Sequence, residues 1–156
     1  MQTTVRPATI HDAQTIVDFN LAMAMETESL RLDPQVLLAG VRAALADPLK
    51  AKYFVGECGG QLAGVLMITH EWSDWRNGDI WWIQSVYVHP GFRRHGVFKA
   101  IYQYTENAAK HSGAIGLRLY VVDHNQAAQK TYERLGMHLS EYVVMENLEM
   151  QDKVSA

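Results

Sequence analysis

A short basic stretch, VHPGFRRHGVFKAIY at residues 88–102, combines residue types and spacing that suit the binding of an anion. It follows an extended apolar run and begins an amphipathic helix. The first N–H groups of a helix have no partners inside it, and the helix dipole favours negative charge there. Arg93, Arg94 and His95 add side-chain donors, and Gly96 lets the backbone approach a ligand. The stretch therefore predicts a phosphate site; the alternative is a solvated, basic helix start.

The elements that must position this stretch predict a mixed α/β sheet. Trp81 and Trp82 are adjacent, so they point to opposite faces of a strand that is covered on both sides. The predicted order is β-α-α-β-β-β-α-β-α-β, a single α/β domain over residues 1–150 with a mostly antiparallel central sheet flanked by helices, and residues 151–156 as a tail. Alternation and turn signals predict strands at about 2–6, 51–58, 62–71, 80–88, 116–122 and 141–148, and helical spacing predicts helices at about 9–26, 33–47, 95–111 and 125–136.

Composition excludes several classes of protein. A net charge of −3 argues against a nucleic-acid binder, because phosphate backbones recruit strongly basic surfaces. No apolar run reaches the roughly 20 residues needed to span a membrane, and the first residues lack the pattern of a secretion signal. The histidines show no paired spacing, so no metal site is expected. These features predict a cytoplasmic protein.

Three stretches of the sequence resemble the GNAT family of N-acetyltransferases. The run RRHGVF at 93–98 is similar to the family's pyrophosphate loop, Arg/Gln-x-x-Gly-x-Gly/Ala. The run NQAAQKTYERLGM at 125–137 resembles Asn-x-x-Ala-x-x-x-Tyr-x-x-x-Gly-Phe, and the opening VRPATIHDAQTI is typical of family starts. Phe98 departs from the pattern, since it stands where the family has Gly or Ala; we expect its side chain to face away from the phosphates.

The resemblance implies the GNAT (acyl-CoA N-acyltransferase) fold and acetyl-CoA as the co-substrate, bound in a gap between the fourth and fifth strands. In that family, strand-four backbone pairs with the pantetheine arm, loop amides hold the pyrophosphate, and an asparagine caps the short helix and faces the cofactor. The implied cofactor-binding residues here are Val86, Tyr87, Val88, Arg93, Arg94, His95, Gly96, Val97, Phe98 and Asn125.

The resemblance also implies two catalytic roles. Tyr132 stands where the family has the tyrosine that acts as general acid near the leaving thiolate; the alternative is a core tyrosine. Some relatives carry a glutamate base on strand four, but Gln84 occupies about that place and has no basic group. The remaining candidate bases are Glu26, Glu28, Glu71 and Asp74, of which we rank Glu26 first because the region of helices one and two borders the acceptor site in the family.

The segment HEWSDWRNGDIWW predicts an acidic, aromatic wall that suits an amine. The alternative is hairpin packing combined with a partner interface. Its order faintly resembles that of spermidine/spermine N-acetyltransferases. The predicted acceptor-binding residues are Glu71, Trp72, Asp74, Trp75 and Gln84.

Together these patterns predict an N-acetyltransferase that moves an acetyl group from acetyl-CoA to a primary amine of a small molecule by direct attack in a ternary complex. Two alternatives remain: an acyl-CoA-binding regulatory module without turnover, and an acetyltransferase that acts on proteins or peptides. The resemblance further suggests a homodimer, with no metal, nucleic acid or membrane among its partners.

Overall fold

A computed structural model describes residues 2–151. The chain forms two compact units, a first one that ends at Tyr120 and a second one that begins at Val121. None of the described helices is long and apolar enough to cross a membrane.

The first unit is a five-stranded sheet flanked by helices, in the order β1-β2-β3-β4-β5. The first three strand pairs are antiparallel and β4–β5 is parallel, which confirms the predicted mixed, mostly antiparallel sheet. Its strands are β1 (Thr4–Pro7), β2 (Lys52–Cys58), β3 (Gln61–Ser73), β4 (Gly78–Val88) and β5 (Gly116–Leu119), and its helices are α1 (Ala13–Glu28), α2 (Pro34–Ala46) and α3 (Val97–His111). The second unit contains α4 (Gln126–Arg134).

Local sequence signals account for several boundaries. Asp33 caps α2, because its Oδ1 accepts a hydrogen bond of 2.9 Å from the N–H of Gln35, and Pro34 occupies the first turn. The turn between β2 and β3 falls at Gly59 and Gly60, which both have positive φ. Asn77, with φ of 47°, supplies the turn between β3 and β4. These turns lie where the sequence predicted them.

The sheet has apolar side chains on both faces. One face packs against α1 and α2 through a buried cluster that includes Ile16, Val41 and Tyr87. On the other face the buried ring of Trp81 stacks on Phe54, with centroids 6.2 Å apart. The prediction that β4 is covered on both sides is thereby confirmed.

Two of the predicted boundaries and one predicted strand were wrong. The third helix begins at Val97 instead of residue 95, because Arg94 and Gly96 have left-handed φ that no helix accommodates. The fifth strand ends at Leu119, short of 122. The predicted strand at 141–148 is absent among the described residues: a strand needs a hydrogen-bonded neighbour, this apolar run has no ladder partner there, and Val143 and Met145 are 90% and 94% exposed.

Candidate functional site

Strand β4 contains a β-bulge near its middle, and its pairing with β5 ends there. Met67 pairs with Ser85 and Ile68 with Ile83, so Gln84 is the extra residue of a β-bulge. The parallel ladder to β5 stops at the same place, with Ile83 opposite Leu119. From Gln84 to Val88 the backbone of β4 therefore has no ladder partner on the β5 side among the described strands. On this side the backbone of β4 can hydrogen-bond an extended ligand.

The loop after β4 has an unusual backbone. A short 3-10 turn at Pro90–Phe92 follows the strand, and then Arg94 and Gly96 adopt φ of 66° and 78°. A positive φ on arginine costs about 1–3 kcal/mol and is characteristic of functional sites. A Cβ on Gly96 would meet no atom within 4 Å, so glycine is needed there for its conformation and not for space.

The loop leads directly into the amino end of α3. Gly96 is the N-cap residue, and among the described residues no side chain caps this helix end. Alternating backbone conformations before a helix turn successive N–H groups towards one point and form an anion-binding concavity. Arg94 and His95 are exposed beside it. The loop can bind an anionic group of the size of a phosphate.

Phe98 lies in the first turn of α3 and is half-buried. Its ring centroid is 6.2 Å from that of Tyr102, one turn further along the same helix. Val97, its neighbour, is buried.

Glu26 connects the end of α1 with β4 and the loop. Its Oε1 accepts a hydrogen bond of 2.9 Å from the Tyr87 hydroxyl, and its Oε2 accepts one of 2.8 Å from the Arg93 guanidinium. Arg93 also donates through Nε to the Val88 carbonyl at 2.9 Å and lies 5.4 Å from the centre of the Tyr87 ring. The predicted base and a predicted cofactor residue are thus in direct contact.

The charges in this cluster shift two protonation equilibria. Hydrogen bonds from Arg93, and then from Tyr87, lower the pKa of Glu26 below that of an ordinary glutamate. Burial, and then the hydrogen bond to Glu26, raise the pKa of Tyr87. Near neutral pH Glu26 is therefore ionised and Tyr87 protonated. While Arg93 holds it, the Glu26 carboxylate is a weak base.

A second polar cluster lies further along the same face of the sheet. Val65 and Tyr87 are paired and face α1, so alternation along β3 puts Thr69 and Glu71 on that face as well. Gln84 joins them, because its Nε2 donates to the Thr69 Oγ1 at 2.8 Å. Glu71 and Gln84, two predicted acceptor-binding residues, are thereby on one face with Tyr87.

Glu71 has partners that the sequence interpretation missed. Its Oε2 accepts a hydrogen bond of 2.6 Å from Arg118 on β5, and its Oε1 accepts one of 3.3 Å from Trp82 Nε1. The Trp82 ring lies 4.6 Å from that of Tyr120. Simple alternation from Tyr87 would put Trp82 on the opposite face, because it does not count the extra residue at Gln84. The position of Trp82, like the partners from the β5 region, therefore needed the strand register. The cluster is an aromatic wall beside an ion pair, so the negative charge of Glu71 is largely compensated.

The other predicted acceptor-binding residues are not brought to this cluster. Trp72 follows Glu71 in β3 and therefore points to the opposite face, where it is 64% exposed. Asp74 and Trp75 lie in the turn after β3, and the Asp74 carboxylate accepts a hydrogen bond of 2.8 Å from the Trp75 N–H. Trp75 is 89% exposed at the tip of this hairpin.

The second unit carries the other two predicted site residues. Asn125 caps α4, since its Oδ1 accepts a hydrogen bond of 3.1 Å from the N–H of Ala128. Tyr132 lies in the last part of α4 and is half-buried, and its carbonyl accepts hydrogen bonds from Leu135 and Met137.

No group of three or more His, Cys, Asp or Glu side chains could hold a metal ion within residues 2–151.

Solved structures of acetyltransferases share this fold. A possible acetyltransferase from Clostridium difficile 630 matches with a TM-score of 0.88 and 41% identity, covering 94% of this chain and 97% of its own. An aminoglycoside N-acetyltransferase in complex with CoA matches with a TM-score of 0.77 and 16% identity, covering 95% of each chain. A ribosomal-protein-alanine N-acetyltransferase from Brucella melitensis biovar Abortus 2308 matches with a TM-score of 0.74 and 17% identity, covering 94% of this chain and 100% of its own.

The sequence matches the acetyltransferase (GNAT) family over residues 20–137. A comparison with curated proteins finds no match. Because the family match covers well over half of the chain, and a 41% identical acetyltransferase structure shares the fold, the chain belongs to the GNAT family. It is an acetyl-CoA-dependent N-acetyltransferase.

Proposed function

We propose that this protein transfers the acetyl group of acetyl-CoA to a primary amine of a small molecule, by direct attack of the amine within a ternary complex. The observation that carries the proposal is the continuity of two features: the open backbone edge of β4 from Gln84 to Val88, and the loop with left-handed Arg94 and Gly96 that follows it. An extended arm with amide groups suits the first, and a diphosphate suits the second.

The donor set fits acetyl-CoA. The backbone of Val86, Tyr87 and Val88 would pair with the pantetheine arm and polarise the thioester carbonyl, because this stretch of β4 has no ladder partner on its β5 side among the described strands. The N–H groups from Arg93 to Phe98, with the side chains of Arg94 and His95, would bind the diphosphate. Asn125, which caps α4, would face the cofactor as its family motif implies.

An acceptor that binds as an ammonium ion loses one proton before attack and a second, to water, as the tetrahedral intermediate becomes the amide, and the leaving thiolate takes one up. The amine must lose a proton to attack the thioester carbon, and we assign that proton to the Glu26 carboxylate, directly or through water. As the C–S bond breaks, the leaving thiolate takes up a proton, which we assign to the Tyr132 hydroxyl on the strength of the family motif. Glu26 is suited to its role only when it is no longer held by Arg93, because that ion pair lowers its pKa.

The acceptor would bind over the sheet face that carries Glu71 and Gln84. Trp82 and Tyr120 offer a flat aromatic surface there, and the Glu71 carboxylate accepts hydrogen bonds from the acceptor's polar groups or its ammonium. Because Arg118 compensates Glu71, this cluster favours an amine of low charge over a highly cationic polyamine. Trp72, Asp74 and Trp75 would contribute at most at the rim, from the adjacent hairpin.

The test is thiol release from acetyl-CoA over a panel of aminoglycosides, polyamines, aromatic monoamines, amino acids and short peptides. Turnover with a small amine supports the proposal. Gly96→Ala serves as the loop-damaged enzyme and Gly40→Ala as the matched control, since a Cβ at Gly40 in α2 meets no atom within 4 Å. Acetyl-CoA bound in calorimetry without turnover on any acceptor contradicts the proposed transfer, and activity restricted to peptides contradicts the small-molecule acceptor.

The second candidate is an acyl-CoA-binding module without turnover. The observation that favours it is the Glu26–Arg93 ion pair, which keeps the first-ranked base occupied. The panel separates it from the transferase, because the module binds acetyl-CoA but releases no thiol.

We further propose that residues 1–150 act as one N-acetyltransferase domain in a cytoplasmic homodimer.

A further inference from the structure

The Glu26–Arg93 pair joins two parts of the chain that are 67 residues apart. Three contacts orient the guanidinium: the Glu26 carboxylate, the Val88 carbonyl and the face of the Tyr87 ring. Both oxygens of Glu26 accept a hydrogen bond, one from Tyr87 and one from Arg93. The pair is therefore well defined in geometry.

The same pair is accessible to solvent and therefore easily exchanged. The side chains of Arg93 and Glu26 are 45% and 41% exposed. Ion pairs this exposed contribute little, because water and salt screen them. A diphosphate carries more charge than a carboxylate and matches the guanidinium fork equally well, so it competes effectively for an arginine.

Arg93 lies at the point where this competition can occur. It immediately precedes the left-handed Arg94, and it is the first residue of the loop that leads through Gly96 into α3. Its side chain contacts α1, whereas its backbone belongs to the predicted anion site. A rotation of this one side chain moves its charge from the acceptor side to the cofactor side.

We propose that the Arg93 guanidinium leaves the Glu26 carboxylate and binds the diphosphate of acetyl-CoA instead. This exchange of ion pairs, the hand-over, makes Glu26 available as the proton acceptor for the amine. The inference rests on the proposed function of the loop. In the released state the N–H bond of the acceptor ammonium breaks and an O–H bond forms on the Glu26 carboxylate, which remains positioned by Tyr87. Arg93 is thus a positioning residue that couples the two substrates and favours binding of acetyl-CoA before the amine.

The hand-over makes a specific thermodynamic prediction. If Glu26 and the diphosphate compete for Arg93, removal of the carboxylate must strengthen cofactor binding, because coupling between sites is reciprocal. We expect Glu26→Gln to lower the Kd of CoA by about two- to fivefold, the range that follows from an exposed ion pair. Arg93→Ala should raise the Kd of CoA, and in that background Glu26→Gln should have no further effect.

Calorimetric titration with CoA, which is unreactive, measures these constants in four proteins: the wild type, the two single variants and the double variant. Asp18→Asn is the matched control, since it removes one exposed negative charge from the same helix without touching Arg93. Pantetheine, measured by competition, is the matched ligand: it lacks the diphosphate, so its affinity should not respond to Glu26→Gln.

The outcomes separate this inference from the proposed function on which it rests. If Arg93→Ala leaves the Kd of CoA unchanged, the hand-over is overturned. If the wild type does not bind CoA at all, the proposed function of the loop is overturned. Weaker binding in Arg93→Ala without tighter binding in Glu26→Gln overturns the hand-over but leaves the loop intact. Tighter binding of CoA in Glu26→Gln that persists without Arg93, or that extends to pantetheine or to Asp18→Asn, indicates a general charge effect and also overturns it.

Discussion

Ile83 and Leu119 are the last pair of residues in the ladder between β4 and β5. Immediately beyond Ile83 comes the bulged Gln84, and from there to Val88 β4 stays paired with β3 but has no ladder partner on its β5 side among the described strands. A strand that extends beyond its parallel neighbour exposes backbone groups on that side. In this protein the strand end, the loop and the start of α3 therefore form one continuous row of polar backbone.

The first prediction concerns the conformation of Gly96. Gly96→Ala should raise the Kd of CoA by about 5- to 30-fold, because the alanine loop relaxes out of the left-handed region and binding must restore it at a cost of about 1–2 kcal/mol. The measurement is calorimetric titration of both proteins with CoA. Gly40→Ala, in the middle of α2, should leave the Kd unchanged and raise the melting temperature slightly, since alanine is favoured over glycine in helices. Equal affinities for Gly96→Ala and the wild type would remove Gly96 from the cofactor site.

The second prediction concerns which acidic residue contacts the acceptor. Glu71 shares a sheet face with Tyr87 and Gln84, whereas Asp74 lies in the hairpin turn. Glu71→Gln should therefore raise the KM for the amine about tenfold, because a hydrogen bond to a charged group contributes about 1.5–3 kcal/mol and glutamine retains part of it. Asp74→Asn should change KM far less.

Steady-state rates at saturating acetyl-CoA, with the best acceptor of the panel, give the KM for the amine in both variants. The KM for acetyl-CoA serves as the control and should stay constant in both variants. A larger effect of Asp74→Asn would move the acceptor site to the hairpin.

Local sequence patterns were sufficient for most of the sheet. Periodicity and turn signals predicted the first five strands and the loop with Gly96, because these features depend on neighbours within a few residues. The strand predicted at 141–148 failed for a related reason: the apolar run around Val143 favours extended structure, but composition says nothing about whether a partner strand is within reach.

The candidate site was less predictable, because its contacts join distant parts of the chain. Glu26 meets Arg93 across 67 residues and Glu71 meets Arg118 across 47, and neither spacing carries a periodic signal. The left-handed φ of Arg94 is equally invisible, since arginine has no preference for that region. The sequence motifs predicted which residues form the site, whereas the strand register of the sheet determines which of them share a face.

The third prediction tests the general acid. Tyr132→Phe should lower kcat by about 10²- to 10⁴-fold, the usual contribution of a general acid, while the Kd of CoA stays nearly unchanged. Single-turnover measurement of thiol release, combined with calorimetry, separates the two effects. Tyr142→Phe is the matched control, because Tyr142 is 75% exposed. An unchanged kcat in Tyr132→Phe would exclude this hydroxyl from the mechanism.

The last prediction concerns stability and its dependence on pH. Asp12 is 7% exposed and accepts two hydrogen bonds from Arg6, of 2.8 and 3.0 Å, and one of 2.7 Å from the N–H of Thr9. The hydrogen bonds from Arg6, opposed by burial, lower the pKa of Asp12 in the folded protein. A carboxyl group whose pKa is depressed on folding stabilises the protein above its unfolded pKa of about 3.9, and this contribution is lost as the pH falls through the folded pKa.

Asp12→Asn should therefore lower the free energy of unfolding by about 1.5–3 kcal/mol at pH 7, as expected for lost hydrogen bonds to a charged group. The difference from the wild type should shrink as the pH falls below 4, where the wild-type carboxyl also begins to be protonated. Urea unfolding at pH 7 and at about pH 3 measures both differences. Asp18→Asn, at an exposed position of α1, should change the free energy by less than about 0.5 kcal/mol at either pH. A difference for Asp12→Asn that is as large in acid as at neutral pH would show that packing, and not the ion pair with Arg6, is what the substitution removes.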